Sequence, residues 1–370
     1  MKCEWHPLGE YIESCDERNG SKYGVESVRG ISINKAIIKT KADMEGVSLT
    51  PYKLLKPDEF CFVTVTSRNG GKISLACNES EETYIVSSSY EVFRIADKDA
   101  LLPAYLDMLL RRPEFDRYAR FNSWGSARET FSYGDMTRVR IPVPSIPDQK
   151  KVVDAWKGLR KLKEENERLA EPLMQLCRSY MQELKKKWPM KEIGSYISEH
   201  DRRNNDLSVK LSQGVANSKV FQDPKQVSAN AASDKIVETG QFAYNRATTR
   251  NGEKISIAFR DGPKCTVSGA YGVFSVTNYA PFISEYLLLW FIRPEFDRYA
   301  RYMSKGSAHE FFEFADMKRV KIPLPPKVVQ EAVVAVYRSA MEAKRIAAEA
   351  DELSRQICPA LIQHVVKGEN

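Results

Sequence analysis

Four histidines and seven cysteines are all that 370 residues offer toward metal or thiol chemistry. The cysteines (Cys3, Cys15, Cys61, Cys77, Cys177, Cys265 and Cys358) contain no CxxC pair. A zinc framework is therefore not expected, and reduced thiols in a cytoplasm are the simpler reading. Glycine-rich loops of dinucleotide or P-loop spacing are missing too, so nucleotide and S-adenosylmethionine have no visible cradle and no cofactor is expected. The Asn-Pro-Pro-aromatic and Asp-Pro-Pro-aromatic tetrapeptides that surround the target amine in amino-methyltransferases are absent. His6, His200, His309 and His364 are scattered, which makes a catalytic histidine hard to defend. No run approaches the roughly 18 apolar residues of a membrane span, and the first residues lack the apolar core of a signal peptide. Neither a membrane segment nor a leader is expected. These absences point to a chain that binds and does not catalyse.

What the sequence does contain is a soluble composition, 42% hydrophobic and 28% charged, with length enough for two domains. Lys and Arg number 56 against 49 Asp and Glu, a net charge of +7 that permits an anionic partner without requiring one.

Almost everything occurs twice. Leu8-Gly9-Glu10-Tyr11-Ile12 is echoed by Ile193-Gly194-Ser195-Tyr196-Ile197, and Asp16-Glu17-Arg18-Asn19 by Asp201-Arg202-Arg203-Asn204. After a divergent polar region the copies converge at RNGGKIS (68–74) and RNGEKIS (250–256), where an Asn-Gly turn before alternating apolar residues predicts a hairpin. Val86 to Phe93 and Val267 to Phe274 share an S-x-x-Y-x-V-F pattern that reads as strand. The clearest match is PEFDRYAR at 113–120 and 294–301; from Pro113 to Pro144, 21 of 32 aligned residues are identical. Pro113 and Pro294 are expected in the first turn of a helix. Phe115 with Tyr118, and Phe296 with Tyr299, would bury one helix face while Arg117, Arg120, Arg298 and Arg301 stay outside. Each copy closes on an I-P-x-P segment that halts regular structure.

After each copy comes a long amphipathic stretch. Val152, Val153, Trp156, Leu159, Leu162, Leu169, Leu173, Leu176, Cys177, Tyr180 and Leu184 recur at helical steps. Val333, Val334, Tyr337, Met341, Ile346, Leu353, Ile357, Leu361, Ile362 and Val365 do the same. Trp156 aligns with Tyr337 and Cys177 with Cys358 at one offset of 181. A helix of about 38 residues would be about 57 Å long. Two such helices would pack most simply as a coiled coil, antiparallel if a pseudo-twofold relates the copies. Pro172 is expected to kink the first. Pro147-Asp148 with Glu183-Leu184-Lys185 spells a nuclease-like pattern, but it lies on or beside that helix, where surface charge is ordinary.

In their order, repeated with a helix after each copy, these motifs resemble the specificity (S) subunits of type I restriction-modification enzymes, over nearly the whole chain. That resemblance implies an α+β fold with target recognition domains at 1–146 and 188–326 and spacer helices at 147–187 and 327–370. It also implies partners: double-stranded DNA, methyltransferase (M) subunits, two of them, and a restriction (R) subunit where one is present. A reader of a split sequence needs two base-reading domains at fixed separation, because major-groove faces repeat about every 34 to 36 Å.

If each half reads a different sequence, residues that differ between copies are the natural base readers, and shared residues serve folding, phosphate contact or docking. The candidate DNA contacts are Arg68, Asn69 and Lys72 with Arg250, Asn251 and Lys254 on the predicted hairpin tips. Before the second tip stand Asn245, Arg246 and Thr248, where the first copy has Val63, Thr64 and Thr66. An Arg or Asn there would pair bidentately with guanine or adenine. Tyr90 and Tyr271 are candidates for stacking on a base or capping a phosphate. Each has a structural counter-reading: the Asn-Gly only turns the chain, the polar residues line an ordinary strand, and the tyrosines belong to the core. The exposed face of the coiled coil is the expected M-subunit dock. A protein adaptor with no affinity for nucleic acid is the alternative, and a self-contained nuclease or methyltransferase a more remote one.

Overall fold

The computed structural model describes residues 5–40, 42–67, 70–126, 128–224, 230–248, 254–306 and 310–367, with side chains as far as residue 356. The chain forms two compact units, Met1–Asn166 with Arg345–Asn370, and Glu167–Lys344. The first opens with β1 (Trp5–Pro7), β2 (Ile12–Cys15), β3 (Arg29–Ile31), β4 (Ile37–Lys39) and β5 (Lys53–Leu55). It continues with β6 (Phe60–Val63), β7 (Leu75–Cys77), β8 (Tyr84–Val86) and β9 (Tyr90–Ile95). Helices α1 (Pro103–Leu110), α2 (Pro113–Phe121) and α3 (Tyr133–Thr137) lead to β10 (Arg140–Pro142) and the long α4 (Ile146–Lys187).

The second unit repeats that order. It has β11 (Met190–Glu192), β12 (Ile197–His200), β13 (Gly214–Val215), β14 (Phe221–Gln222) and β15 (Lys235–Val237). Then come β16 (Gln241–Asn245), β17 (Ile257–Phe259), β18 (Cys265–Val267) and β19 (Tyr271–Val276). Last are α5 (Ser284–Phe291), α6 (Pro294–Met303), α7 (Phe314–Lys318), β20 (Lys321–Pro323) and α8 (Lys327–Lys367); α4 passes into the second unit at Glu167 and α8 into the first at Arg345.

At the centre of each unit is an antiparallel four-stranded sheet, β2-β9-β6-β7 in one and β12-β19-β16-β17 in the other. Strand alternation sends Phe60, Phe62, Leu75 and Phe93 toward the helices, and Cys61, Ala76 and Val92 toward the small strand pairs behind. Phe60 and Phe93, cross-strand partners, stack with centroids 5.0 Å apart, as Phe242 and Phe274 do in the second unit. Pro113 and Pro294 each occupy the first turn of their helix, as predicted, and Phe115 and Phe296 are buried.

Two polar knots hold the layers. In the first, fully buried Gln149 near the start of α4 donates to the carbonyls of Ala100 and Pro144 and accepts from Leu102 N–H. Gln330 repeats this at Pro281, Pro325 and Ile283, so each long helix is pinned to its own domain. In the second, Asp116 of α2, 8% exposed, accepts from Lys35 Nζ at 2.6 Å and from Ile73 N–H at 3.1 Å. Lys35 lies in the β3–β4 turn with φ of 59°, a left-handed backbone that lysine seldom adopts. Lys219 (φ 67°), Asp297 and Ile255 N–H form the same knot in the second unit, where Lys219 also donates to the Ile255 carbonyl. Burial pushes both lysines below their usual pKa, and the neighbouring carboxylate opposes it.

The long helices are as extensive as the periodicity predicts, and the predicted seam holds in part: Val152, Val153, Trp156, Cys177, Leu184, Val333 and Val334 are buried, while other positions in it are not. Lys163 of α4 pairs with Asp351 of α8, while Cys177, Met181 and Leu184 share a cluster with Val333, Val334 and Tyr337. Later residues of α4 thus meet earlier residues of α8, which makes the helices antiparallel. The buried positions on α8 include Ala340, Ala343, Ala347 and Ala350, whereas Met341 and Leu353 are exposed. On α4, Leu162, Leu169, Leu176 and Tyr180 are exposed as well. Small residues admit a close approach of helices, so the larger ones in the stripe are displaced to its flank. The side chains of Ile357, Cys358, Leu361, Ile362 and Val365 lie outside the described residues.

Asp16 and Asp201 explain the first repeated acidic motif: each accepts from an arginine two residues on and pairs with a buried lysine, Lys53 or Lys235. Hydrogen bonds from Lys235 and Arg203 hold the Asp201 carboxyl below its usual range. Its stabilisation is present above the ordinary Asp pKa and is lost as pH falls through the lower folded value. Asp201→Asn therefore flattens the acid limb of a melting-temperature profile run from about pH 5 to about pH 2. Asp297→Ala, which strands a buried lysine, is expected to lower unfolding free energy by about 3 to 5 kcal/mol in a denaturant titration; a change within 0.5 kcal/mol would contradict the knot.

Candidate nucleic-acid interface

The Asn-Gly signal predicts a tight hairpin; the strands it separates, β6 and β7, do pair antiparallel, but through a connection spanning 64–74. Its length follows from its anchors. Phe131 N–H donates to the Thr64 carbonyl, Val65 bridges Thr130, and Thr66 donates both N–H and hydroxyl to the Glu129 carbonyl. At the far end Ile73 N–H is taken by Asp116, and Val63 N–H donates to Ser74. Gly70 has φ of 62°, the left-handed conformation an Asn-Gly turn asks for. Arg68 and Asn69 lie outside the described residues, and Lys72 is exposed. Tyr90 pairs with Val63 at the same end of the sheet; half-buried against Cys61 and its neighbours, its hydroxyl is pushed up in pKa by burial.

The second unit matches. Asn245, paired with Tyr271, donates its N–H to Ser256 and accepts Ala247 N–H on its side-chain oxygen. Arg246 donates to the Ala270 carbonyl at 3.1 Å and pairs with Glu313 at 3.3 Å. Thr248 is 3% exposed, with N–H and hydroxyl both on the Glu310 carbonyl, the role Thr66 has in the first unit. Its hydroxyl is thus engaged inside the unit. Arg250 and Asn251 lie outside the described residues; Lys254 is exposed and Tyr271 half-buried. The structure therefore gathers Tyr90 and Lys72 at one sheet end, and Asn245, Arg246, Thr248, Tyr271 and Lys254 at the equivalent end of the other unit.

Several residues that shape these ends escaped the sequence reading. Arg120 pairs with Glu129, and Arg301 with Glu310, so the C-terminal turn of α2 or α6 is tied to the residue that anchors the β6–β7 or β16–β17 loop. A second loop after each helix lies alongside, bridged through Trp124 and Thr130 or through Lys305 and Phe311. Gly125 and Gly306 have φ of 142° and 144°, and a Cβ on Gly125 would meet the Arg128 carbonyl at 2.1 Å. Glu129/Glu310 and Asp116/Asp297 were visible as identities between copies. Lys35 and Lys219 were not, because their surroundings diverge. Among the described residues, no cluster of three or more His, Cys, Asp or Glu is placed to hold a metal ion, and no helix is long and apolar enough to cross a membrane.

The arrangement is a duplicated α+β unit in which each copy leads into a long helix. No protein-family model matches the chain, and no curated protein matches its sequence. The S subunit of a type I restriction-modification system from M. genitalium is similar over 100% of this chain and 97% of its own, with a TM-score of 0.66 at 12% identity. The HsdS subunit of Thermoanaerobacter tengcongensis covers 99% of this chain and 97% of its own at 14% identity, with a TM-score of 0.42. The chain has the fold of a type I specificity subunit, as the first of these likenesses shows.

Thr248→Val keeps the shape but removes the hydroxyl. A loss of about 1 kcal/mol in thermal or chemical unfolding is expected if the hydrogen bond to Glu310 anchors the loop; an unchanged transition would free Thr248 from that role.

Proposed function

We propose that this chain is the non-catalytic DNA-recognition subunit of a cytoplasmic type I restriction-modification complex. On this reading residues 1–146 and 188–326 are target recognition domains, each reading one half of an asymmetric, two-part sequence. The helices at 147–187 and 327–370 are spacers. The chain positions two M subunits for adenine methylation of flipped-out bases, and R subunits join where they exist. The observation that carries this reading is that each unit raises a loop from the same end of the same sheet, on anchors that are identical and with flanks that differ. Thr66, Asp116 and Glu129 recur as Thr248, Asp297 and Glu310, whereas Val63-Thr64-Val65 becomes Asn245-Arg246-Ala247. A shared frame with copy-specific polar groups is what a reader of two different half-sites needs.

Arg68, Asn69, Lys72, Arg250, Asn251 and Lys254 are the proposed phosphate and groove contacts, with Tyr90, Tyr271, Asn245, Arg246 and Thr248 beside them. Arg246 would exchange Glu313 for a base edge on binding. The M-subunit dock is the exposed stripe of Leu162, Leu169 and Leu176, spaced by seven residues, with Tyr180. A heptad row left uncovered on a helix is suited to receive further helices.

The test is to co-purify the chain with the methyltransferase encoded beside it and to map methylated adenines in the host DNA with and without the gene. A split motif that vanishes with the gene is expected; unchanged methylation with no partner recovered would favour the adaptor. Exchanging residues 188–326 for another recognition domain should change one half of the motif only. Leu169→Glu with Leu176→Glu should abolish co-purification, and retention of the M subunit would place the dock elsewhere.

A further inference from the structure

The most exposed aromatic rings of the two units stand at equivalent positions. Phe121 and Tyr302, each one residue beyond the PEFDRYAR motif, are 77% and 86% exposed. Neither contributes to a core cluster. Their placement is nonetheless fixed: the preceding arginine, Arg120 or Arg301, is ion-paired to Glu129 or Glu310. The same glutamate's carbonyl receives the N–H of Thr66 or Thr248, two residues before the reader loop's arginine. One helical turn back, on the same helix face, stands another exposed arginine, Arg117 or Arg298. Arg112 and Arg117 share the single carboxylate of Glu114, and Arg298 forms no ion pair among the described residues, so cations outnumber carboxylates beside each bare ring.

We propose that Phe121 and Tyr302 are DNA-contacting rings, one per half-site, that pack on the sugar of the nucleotide next to the phosphate contacted by Arg117 or Arg298. This inference rests on the DNA-recognition reading above and deepens it. Charge decides the partner: a bare ring among arginines suits a polyanion that also has apolar faces, which is what a duplex offers along its base edges and sugars. A deoxyribose is common to every nucleotide, so such a contact supplies affinity without selecting sequence. That fits an aromatic common to both copies. Three residues beyond each ring the copies differ, with exposed Trp124 in one and exposed Lys305 in the other, so the ring and its variable neighbour divide affinity from selectivity.

The experiment uses the intact complex with its M subunit and compares wild type with Phe121→Ala, Tyr302→Ala, Phe121→Tyr, Tyr302→Phe and Arg298→Ala. Duplex affinity is measured at several salt concentrations, with melting temperature and co-purification alongside. Each alanine variant should lose roughly tenfold in affinity for cognate duplex, the scale of burying one aromatic side chain, with an unchanged salt slope. The Tyr and Phe exchanges should bind as wild type does, because the ring suffices. Arg298→Ala should reduce the salt slope by about one. Alanine variants that bind as tightly as wild type overturn the assignment. So does loss of the M subunit, which would make the rings protein contacts. If wild type binds the cognate duplex no better than an unrelated one and without salt dependence, the DNA-recognition reading itself fails, a result distinct from either.

Discussion

Each unit depends on a lysine ammonium and an aspartate carboxylate brought together out of water. Lys35 and Asp116, or Lys219 and Asp297, join a peripheral hairpin to the helix that covers the sheet, and the same carboxylate takes the N–H of Ile73 or Ile255 at the stem of the β6–β7 or β16–β17 loop. Three segments remote in sequence thus converge on one acceptor. A charge removed from solvent is tolerable only when another charge and further hydrogen bonds accompany it. Here the penalty is visible in the lysines, whose proton affinity burial weakens and the carboxylate partly restores. Lys35 and Phe115, and Lys219 and Phe296, also face one another at 5.1 and 5.7 Å, which gives the cation an aromatic wall.

Because that knot recurs in two hairpins of different sequence, it belongs to the frame and not to what differs between the copies. The same holds for Gln149 and Gln330, whose amides pin the start of each long helix. Around these fixed points the flanks of the β6–β7 and β16–β17 loops are free to differ. Much of the basic surface nearby is already neutralised within the unit: Arg120 by Glu129, Arg246 by Glu313, Arg301 by Glu310. Lys72, Lys254 and Arg298 are exposed and form no ion pair among the described residues, so an anionic partner would meet these first and the paired arginines after exchange of their carboxylates.

The repeat, the strand pattern and the extent of the long helices were legible because each rests on several residues at regular spacing. Single-residue decisions were harder. PEFDRYAR shows which face Phe115 takes, but nothing local says that Asp116 is buried with it, since its partner lies 81 positions earlier. The offset between copies changes from 185 at Leu8 to 182 at Arg68 across the divergent region, so Lys35 and Lys219 do not fall into register by inspection. On the helices, periodicity marks an apolar stripe wider than one seam, and it is the alanines, not Leu169 or Leu176, that the structure buries. Whether Thr248 or Arg246 is available to a ligand is set by the Glu310 carbonyl and the Glu313 carboxylate, both more than 60 residues away.

The first unit is discontinuous: it takes its opening 166 residues from one end of the chain and Arg345–Asn370 from the other, with the second unit wholly between them. During synthesis the unit begun first is therefore finished last. Residues 1–166 emerge with their share of the helix pair unfilled and wait through the translation of the entire second unit before the strand of helix that closes them arrives. A nonsense mutation or proteolytic cut near residue 345 would accordingly leave the later unit intact and expose the earlier one, an asymmetry of damage between two copies that are otherwise built alike.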